Sequence, residues 1–170
     1  MDQVQGDLRQ QRVMQLLRGF EWQLDEQAFL LLPDNCWEEL LQISNDRNVK
    51  KLIRARAAAA LTLYPNDKVW YELVSRISYD RSRVMRRRST EQVCKAFSDS
   101  RARAVEEKMI SLLADKDPQV RVLAARCLQP GKSEAASSAL TMFRSELDRA
   151  EDSRFWEFEA AGFKADRTIE

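Results

Sequence analysis

A short pattern of apolar and small residues recurs four times along the chain. It consists of a bulky apolar residue, usually followed by Arg, with two small residues at offsets four and five. The bulky residues are Ile53, Met85, Val120 and Trp156, so the copies are 32, 35 and 36 residues apart. A repeat with this period predicts supersecondary units that stack on one another, not one wound core.

The apolar positions around these copies follow the spacing of amphipathic helices, and polar breaks separate them. Residues 7–20 are predicted to form a first helix with Asp7 as its N-cap. Pro118 suits the first turn of a later helix, where its missing N–H has no partner to lose. Gly162 suits the stop of the last helix. The pattern predicts about ten helices and no strand.

The predicted fold is all-α, a short α-solenoid of antiparallel helix pairs in one continuous domain of 170 residues. Each pair has an apolar stripe that it cannot bury alone, so neighbouring pairs must stack. An N-terminal cap precedes four repeats, and a tail follows them. The predicted bounds are 1–33 for the cap, 34–64, 66–97, 99–129 and 132–162 for the repeats, and 163–170 for the tail.

The two small residues in each copy predict close contacts between helices. They are Ala57 and Ala58, Ser89 and Thr90, Ala124 and Ala125, and Ala160 and Ala161. A larger side chain at such a contact overpacks the interface and costs ~1–3 kcal/mol. These positions are therefore predicted to be buried.

The third copy, from Leu112 to Ala125, has the most regular sequence. It reads Leu-Leu-Ala-Asp-Lys-Asp-Pro-Gln-Val-Arg and, after two further residues, Ala-Ala. This segment resembles the HEAT repeat family, most closely the short bacterial form known as PBS-lyase-like HEAT repeats. The resemblance is best over 104–128, good over 37–61, moderate over 69–97 and weak over 133–162.

The resemblance implies antiparallel helix pairs in a right-handed solenoid, with the second helix of each pair on the concave face. It also implies a ladder in which a loop Asp pairs with the Arg that follows it. The ladder pairs would be Asp117 with Arg121, Asp80 with Arg86, and Asp46 with Arg54. Because the last copy has Glu157 in place of Arg, the ladder is expected to end before the final pair.

The net charge of +1 conceals an uneven layout. Residues 1–46 carry a net charge of −6, residues 47–145 one of +11, and residues 146–170 one of −4. Such asymmetry bears on partners and on association rate, not on fold. No apolar run approaches the ~20 residues of a membrane span. The N-terminus lacks the features of a signal peptide, so we expect a cytoplasmic protein without membrane contact.

Arginines concentrate in the second repeat, where they surround the ladder position Arg86. In one helix Arg83 and Arg87 would share a face, and so would Arg81 and Arg88. Stacked second helices would align such residues as a basic strip that binds an acidic protein or nucleic-acid phosphates. The predicted binding residues are Arg54, Arg56, Arg81, Arg83, Arg87, Arg88 and Arg126. The alternative, that these arginines pair between repeats or only solvate a helix face, stays open.

The sequence does not indicate an active site. It has no histidine, so a Ser–His–Asp triad is excluded, and we expect no cofactor, metal ion or small-molecule substrate. The leading hypothesis is a non-enzymatic scaffold or adaptor that recognises an acidic protein partner through a basic concave face. Nucleic-acid binding through the arginine cluster is the alternative. A third hypothesis, which depends on the resemblance, is a HEAT-like DNA glycosylase with Asp80 near Trp70 as its catalytic residue. The oligomeric state is left open.

Overall fold

The computed structural model describes residues 2–18, 24–129, 133–149 and 155–162. Within these ranges the chain forms helices joined by turns and contains no strand, so the all-α prediction is confirmed. None of the described helices is both long and apolar enough to cross a membrane. The chain divides into two compact units, and the division falls between the second and third predicted repeats.

Unit 1 comprises residues 1–96. Its α-helices are α1 (Asp2–Leu17), α2 (Glu26–Leu30), α3 (Trp37–Asn45), α4 (Lys51–Ala60), α5 (Asp67–Tyr79) and α6 (Arg83–Phe97), the last of which ends one residue beyond the unit. Short 3₁₀ turns precede α3 and follow α4. Helix α3 packs closely against α4, and α1 contacts α2, α3 and α4.

Local sequence determines where several of these helices begin. The side chains of Asp25 and Asn66 cap α2 and α5, each by accepting a hydrogen bond from the backbone N–H three residues on. Such caps satisfy N–H groups that have no partner inside a helix. The prediction of Asp7 as an N-cap was wrong, since α1 already begins at Asp2. Gly6 is the weakest helix former between the two, and a helix tolerates a single glycine.

The core of unit 1 forms around the predicted small residues. Ala57 and Ala58 of α4 and Ser89 and Thr90 of α6 are fully buried, which confirms the prediction. Large apolar side chains of unit 1 are also buried, namely Leu17, Phe29, Leu40, Leu61, Leu73, Ile77 and Met85. Small side chains at these four positions let the helices approach closely enough for the larger ones to fill the remaining space.

Unit 2 comprises residues 97–170. Its α-helices are α7 (Ala102–Leu112), α8 (Pro118–Leu128), α9 (Glu134–Arg149) and α10 (Phe155–Ala160). Helix α7 packs closely against α8, and α8, α9 and α10 contact one another. Ala124, Ala125 and Ala161 are fully buried as predicted, whereas Ala160 is half-buried.

Two helix boundaries in unit 2 match their sequence signals, namely the start of α8 and the end of α10. Asp117 caps α8 by accepting a hydrogen bond from the Gln119 N–H, and Pro118 occupies the first turn as predicted. Gly162, just after α10, has a φ of +83°, which favours glycine. A Cβ at this position would lie 3.1 Å from Oε1 of Gln129, whose side chain would have to move by a few tenths of an ångström.

Candidate binding surface

Helix α6 separates its arginines between two sides. Met85, Arg86 and the small pair that follows them are buried, whereas Arg83 and Arg88 are exposed and Arg87 is half-buried. Residues four apart lie on the same side of a helix, so Arg83 and Arg87 share the open side. One arginine of the cluster therefore points to the core and three point outwards.

The inward arginine has a structural role that recurs along the chain. Nε of Arg86 donates to the Ile77 carbonyl at 3.0 Å, near the end of α5. Nε of Arg54 donates to the Ser44 carbonyl at 3.1 Å, near the end of α3. In unit 2, Nη1 of Arg121 donates to a carbonyl just after α7, at 2.7 Å. The carbonyls of a last helical turn have no partner within their helix, so these arginines fasten each second helix to the first.

The aspartates of the expected ladder form turns in the loops. Asp46, Asp80 and Asp117 each accept a hydrogen bond from the backbone N–H two residues on, at 2.9, 2.7 and 3.1 Å. Asp side chains favour such local turns because their oxygens reach the nearby backbone. These contacts fix the loops that precede the second helices. The pairing of the three aspartates with the ladder arginines stays a prediction.

The outward arginines of the cluster differ in their contacts. Arg81 and Arg83 are exposed and, as far as the described residues show, form neither a hydrogen bond nor an ion pair. Arg88 forms an exposed ion pair with Glu91 at 2.9 Å. The expectation that Arg81 and Arg88 share a helix face was wrong, because α6 begins at Arg83 and Arg81 lies in the preceding loop.

The predicted binding residues of the neighbouring repeats are less available. Arg54 and Arg56 of α4 are half-buried, and the contact with the Ser44 carbonyl fixes Arg54. Arg126 of α8 belongs to unit 2, and its Nε donates to the Ala160 carbonyl at the end of α10. The structure therefore brings Arg81, Arg83, Arg87 and Arg88 together at the start of α6, with Arg126 occupied elsewhere.

Unit 2 contains a buried ion pair that sequence reasoning missed. Nε and Nη2 of Arg121 donate to the two carboxylate oxygens of Glu157, at 2.9 and 2.6 Å. Glu157 is 2% exposed. The two residues occupy the same position in successive copies of the repeat. The replacement of the expected Arg by Glu157 was therefore the sequence signal for this ion pair, because it places a carboxylate where the arginine of the preceding copy needs a partner.

Arg76 joins α5 to α3 within unit 1. Its Nη2 donates to Ser44 Oγ at 2.5 Å and to Asn45 Oδ1 at 3.0 Å, while Nε donates to Glu72 Oε1 at 3.0 Å. Desolvation lowers the pKa of Arg76, and the charge of Glu72 opposes this shift. The sequence places Arg76 just before the cluster, but the structure places it in the interior.

Two further groups with shifted pKa values are explained by packing. Oη of Tyr64 donates to the Phe29 carbonyl at 2.5 Å. Burial, with smaller effects from Cys36 and Asp34, raises the pKa of Tyr64 to about 12. Burial also raises the pKa of the Cys36 thiol, and the charge of Glu39 adds to it. Both shifts accompany close packing between α2, α3 and the end of α4.

Among the described residues, no group of three His, Cys, Asp or Glu side chains is arranged to hold a metal ion. Trp70 of α5 is buried in the core. Comparisons of the chain with models of protein families, with curated proteins and with solved structures found no match.

Proposed function

We propose that the protein is a non-enzymatic binding module of HEAT-like helix pairs that recognises an acidic segment of a protein partner. The recognising surface is the basic face, defined as Arg56, Arg81, Arg83, Arg87 and Arg88. One observation carries the proposal: Arg86 points to the core and fastens α6 to α5, while its neighbours Arg83 and Arg88 face solvent. The exposed arginines are therefore not needed for the contact that holds the helix.

Contacts within unit 1 support an arrangement in successive helix pairs. Arg76 links α5 to α3, and the Lys68 ammonium lies 5.2 Å from the centre of the Trp37 ring, a second link between the same helices. Arg54 and Arg86 fasten α4 and α6 to the ends of α3 and α5. In a stack of this kind α4 and α6 lie on the same side, and the basic face extends over both.

Charge favours an acidic partner. Residues 47–96 contain 13 basic and 4 acidic side chains. A guanidinium can donate two parallel hydrogen bonds to one carboxylate, which gives arginine clusters geometric selectivity as well as attraction. Complementary charge also accelerates association. A peptide segment with several carboxylates would bind Arg81 and Arg83, whose side chains are exposed and form no hydrogen bond or ion pair among the described residues.

The test is a binding titration with a fluorescent peptide of alternating Glu and Ala. We expect the parent protein to bind it, and the double variant Arg83→Glu/Arg87→Glu to bind at least about tenfold more weakly, or ~1.4 kcal/mol. The charge-matched control is Arg103→Glu/Lys116→Glu, which reverses two exposed charges in unit 2. An equal loss in both variants would mean that only overall charge matters and that the basic face is not a site.

Nucleic-acid binding is a second candidate because Tyr79 is 83% exposed and precedes Arg81 and Arg83. An exposed aromatic ring beside arginines can stack on a base while the arginines contact phosphates. A parallel titration with single-stranded DNA of the same net charge as the peptide distinguishes the two candidate functions. Tighter DNA binding, with a logarithmic salt slope of about −0.7 for each phosphate contact and a loss in Tyr79→Ala, would favour nucleic acid over protein.

A further inference from the structure

The end of α2 exposes an apolar spot in acidic surroundings. Leu30 and Leu31 are 60% and 87% exposed. Asp25, Glu26 and Asp34, which flank them in sequence, are also exposed. Single exposed apolar residues are normal on protein surfaces, but contiguous ones indicate an interaction site. These five residues are called the acidic tip.

A second apolar spot lies on the basic face. Leu52 of α4 is 60% exposed and Val84 of α6 is 40% exposed. Both immediately precede the bulky residue of the repeat pattern, so they occupy the same position in successive copies. Arg56 and Arg88 follow them by four residues, which places a guanidinium one turn away on the same side of each helix. The basic face therefore offers apolar contacts edged by positive charge.

The charge distribution of the chain makes these two spots complementary. Residues 1–46 have a net charge of −6 and residues 47–96 one of +9. The whole chain has a net charge of only +1, so two copies hardly repel each other as wholes. Regions of opposite sign on a nearly neutral molecule attract across copies and orient the encounter.

We infer that the acidic tip of one copy docks on the basic face of a second copy. Leu30 and Leu31 would contact Leu52 and Val84, and the carboxylates at the edge of the tip would meet the arginines. This inference rests on the proposed function, because it uses the same arginines, and it names a second copy of the chain as an occupant of that face.

The contacts within one copy leave the tip able to engage another. Nζ of Lys95 already pairs with Glu26 at 3.0 Å, but this ion pair is exposed and open to exchange. Asp25 accepts its capping hydrogen bond from the Ala28 N–H through one of its two carboxylate oxygens, Oδ1. Asp34 is exposed at the start of the turn before α3. At least two carboxylates of the tip can therefore face a partner.

Sedimentation velocity of the full chain over a concentration series tests the inference. At low ionic strength we expect the weight-average sedimentation coefficient to rise with concentration. At an ionic strength of about 1 M, where the screening length is about 3 Å, it should stay at the monomer value or rise far less. A parent protein that sediments as a monomer at every concentration in low salt overturns the inference.

Two variants test the two halves of the interface separately. Leu31→Lys breaks the tip, because it removes an apolar contact and adds a charge that the arginines repel, and Arg83→Glu/Arg88→Glu breaks the basic face. Each variant alone should lose self-association, and an equimolar mixture should regain it as a one-to-one complex, since one intact tip then meets one intact face. The matched control is Met142→Lys in α9, an exposed apolar residue of unit 2, which should associate like the parent.

The outcomes separate this inference from the proposed function. If the parent stays monomeric but binds the Glu–Ala peptide through Arg83 and Arg87, the second copy is ruled out as occupant and the acidic-partner proposal stands. If Leu31→Lys associates like the parent, or if the mixture of variants stays monomeric, the tip is not the docking element. If neither the peptide nor a second copy binds, both proposals fail.

Discussion

The two units attach successive helix pairs with different chemistry. In unit 1, Arg76 reaches from α5 to the neutral oxygens of Ser44 and Asn45, and its charge is balanced by Glu72 on its own helix. In unit 2, Arg121 reaches from α8 to the buried carboxylate of Glu157. In unit 1 the link ends on two neutral acceptors, whereas in unit 2 it combines a buried ion pair with neutral hydrogen bonds from Arg126 and Gln129 to the carbonyls of Ala160 and Ala161.

This difference indicates which substitutions should destabilise each unit most. Removing one partner of a buried ion pair leaves an uncompensated charge, which costs more than the net stabilisation that the pair provides. Removing a neutral acceptor costs one hydrogen bond of about 1 kcal/mol. We therefore expect substitutions in the α8–α10 link to be more damaging than those among the acceptors of Arg76.

The largest effect is expected for Glu157→Gln, which keeps the shape of the side chain but removes its charge. It should lower the free energy of unfolding by about 3 kcal/mol, because Arg121 keeps its charge in a largely buried site. Amide hydrogen exchange should show the loss of protection in α10 and the facing part of α8. Glu159→Gln, in the same helix but exposed, is the matched control and should change stability by less than ~0.5 kcal/mol.

Ser44→Ala tests the contrasting link in unit 1. It removes one neutral acceptor of Arg76 and should cost about 1–2 kcal/mol in urea unfolding, less than Glu157→Gln. If Ser44→Ala were the more damaging of the two, the links would rank in the reverse order. The expected difference between neutral acceptors and a buried ion pair would then be wrong.

Close packing is common to both units, so substitutions there should not distinguish them. Ala58→Leu in α4 and Ala124→Leu in α8 should each destabilise the protein by ~1–3 kcal/mol through overpacking while the remaining fold stays helical. Thermal melting followed by circular dichroism measures this effect. Ala135→Leu, at an exposed position of α9, is the control. Parent-like melting of both core variants would contradict the proposed register of the repeats.

The two sides of α6 should respond differently to substitution. Arg86→Ala loses the bond to the Ile77 carbonyl and should cost about 1.5 kcal/mol of stability. Arg83→Glu should change stability by less than ~0.5 kcal/mol, because its side chain is exposed and exposed positions contribute little. Urea unfolding of both variants provides the measurement. The reverse ranking would mean that the inward and outward sides of the helix had been exchanged.

The smallest expected effect is a loss of stability of unit 1 at alkaline pH. The pKa of Tyr64 is raised from 10.0 to about 12, so folding favours the neutral phenol. Its stabilising contribution is complete below pH 10 and is lost as the pH rises towards 12. The urea midpoint should therefore fall over this interval. Tyr64→Phe should show a shallower fall, not a flat line, because the raised pKa of Cys36 acts in the same direction.

The sequence predicts the features that depend on helical periodicity, namely where a helix lies and which of its sides is buried. The sequence placed Pro118 in the first turn of α8, and the pairs Ala57–Ala58 and Ala124–Ala125 were correctly predicted as buried. The helical spacing placed Arg83 and Arg87 on one side of α6. Periodicity specifies a face because side-chain direction repeats along a helix.

Partners across elements could not be predicted in this way. Glu157 accepts a hydrogen bond from Arg121, and the Ala160 carbonyl accepts one from Arg126. Both contacts depend on how α10 lies against α8, and the spacing of residues along one helix does not encode this arrangement. The prediction that Arg81 lies in the helix was wrong for a local reason, because α6 starts two residues later. The functional assignment of the basic face stays a proposal because exposed arginines alone do not name a partner.

The buried free thiol of Cys36 gives unit 1 an internal reporter of its own opening. A thiol reagent reacts with the thiolate, and both the burial and the raised pKa of Cys36 suppress that form while α3 stays in place. When opening and closing are fast relative to modification, the labelling rate equals the opening equilibrium multiplied by the intrinsic rate. Spectroscopic labelling of Cys36 would thus measure the free energy of local opening without denaturant.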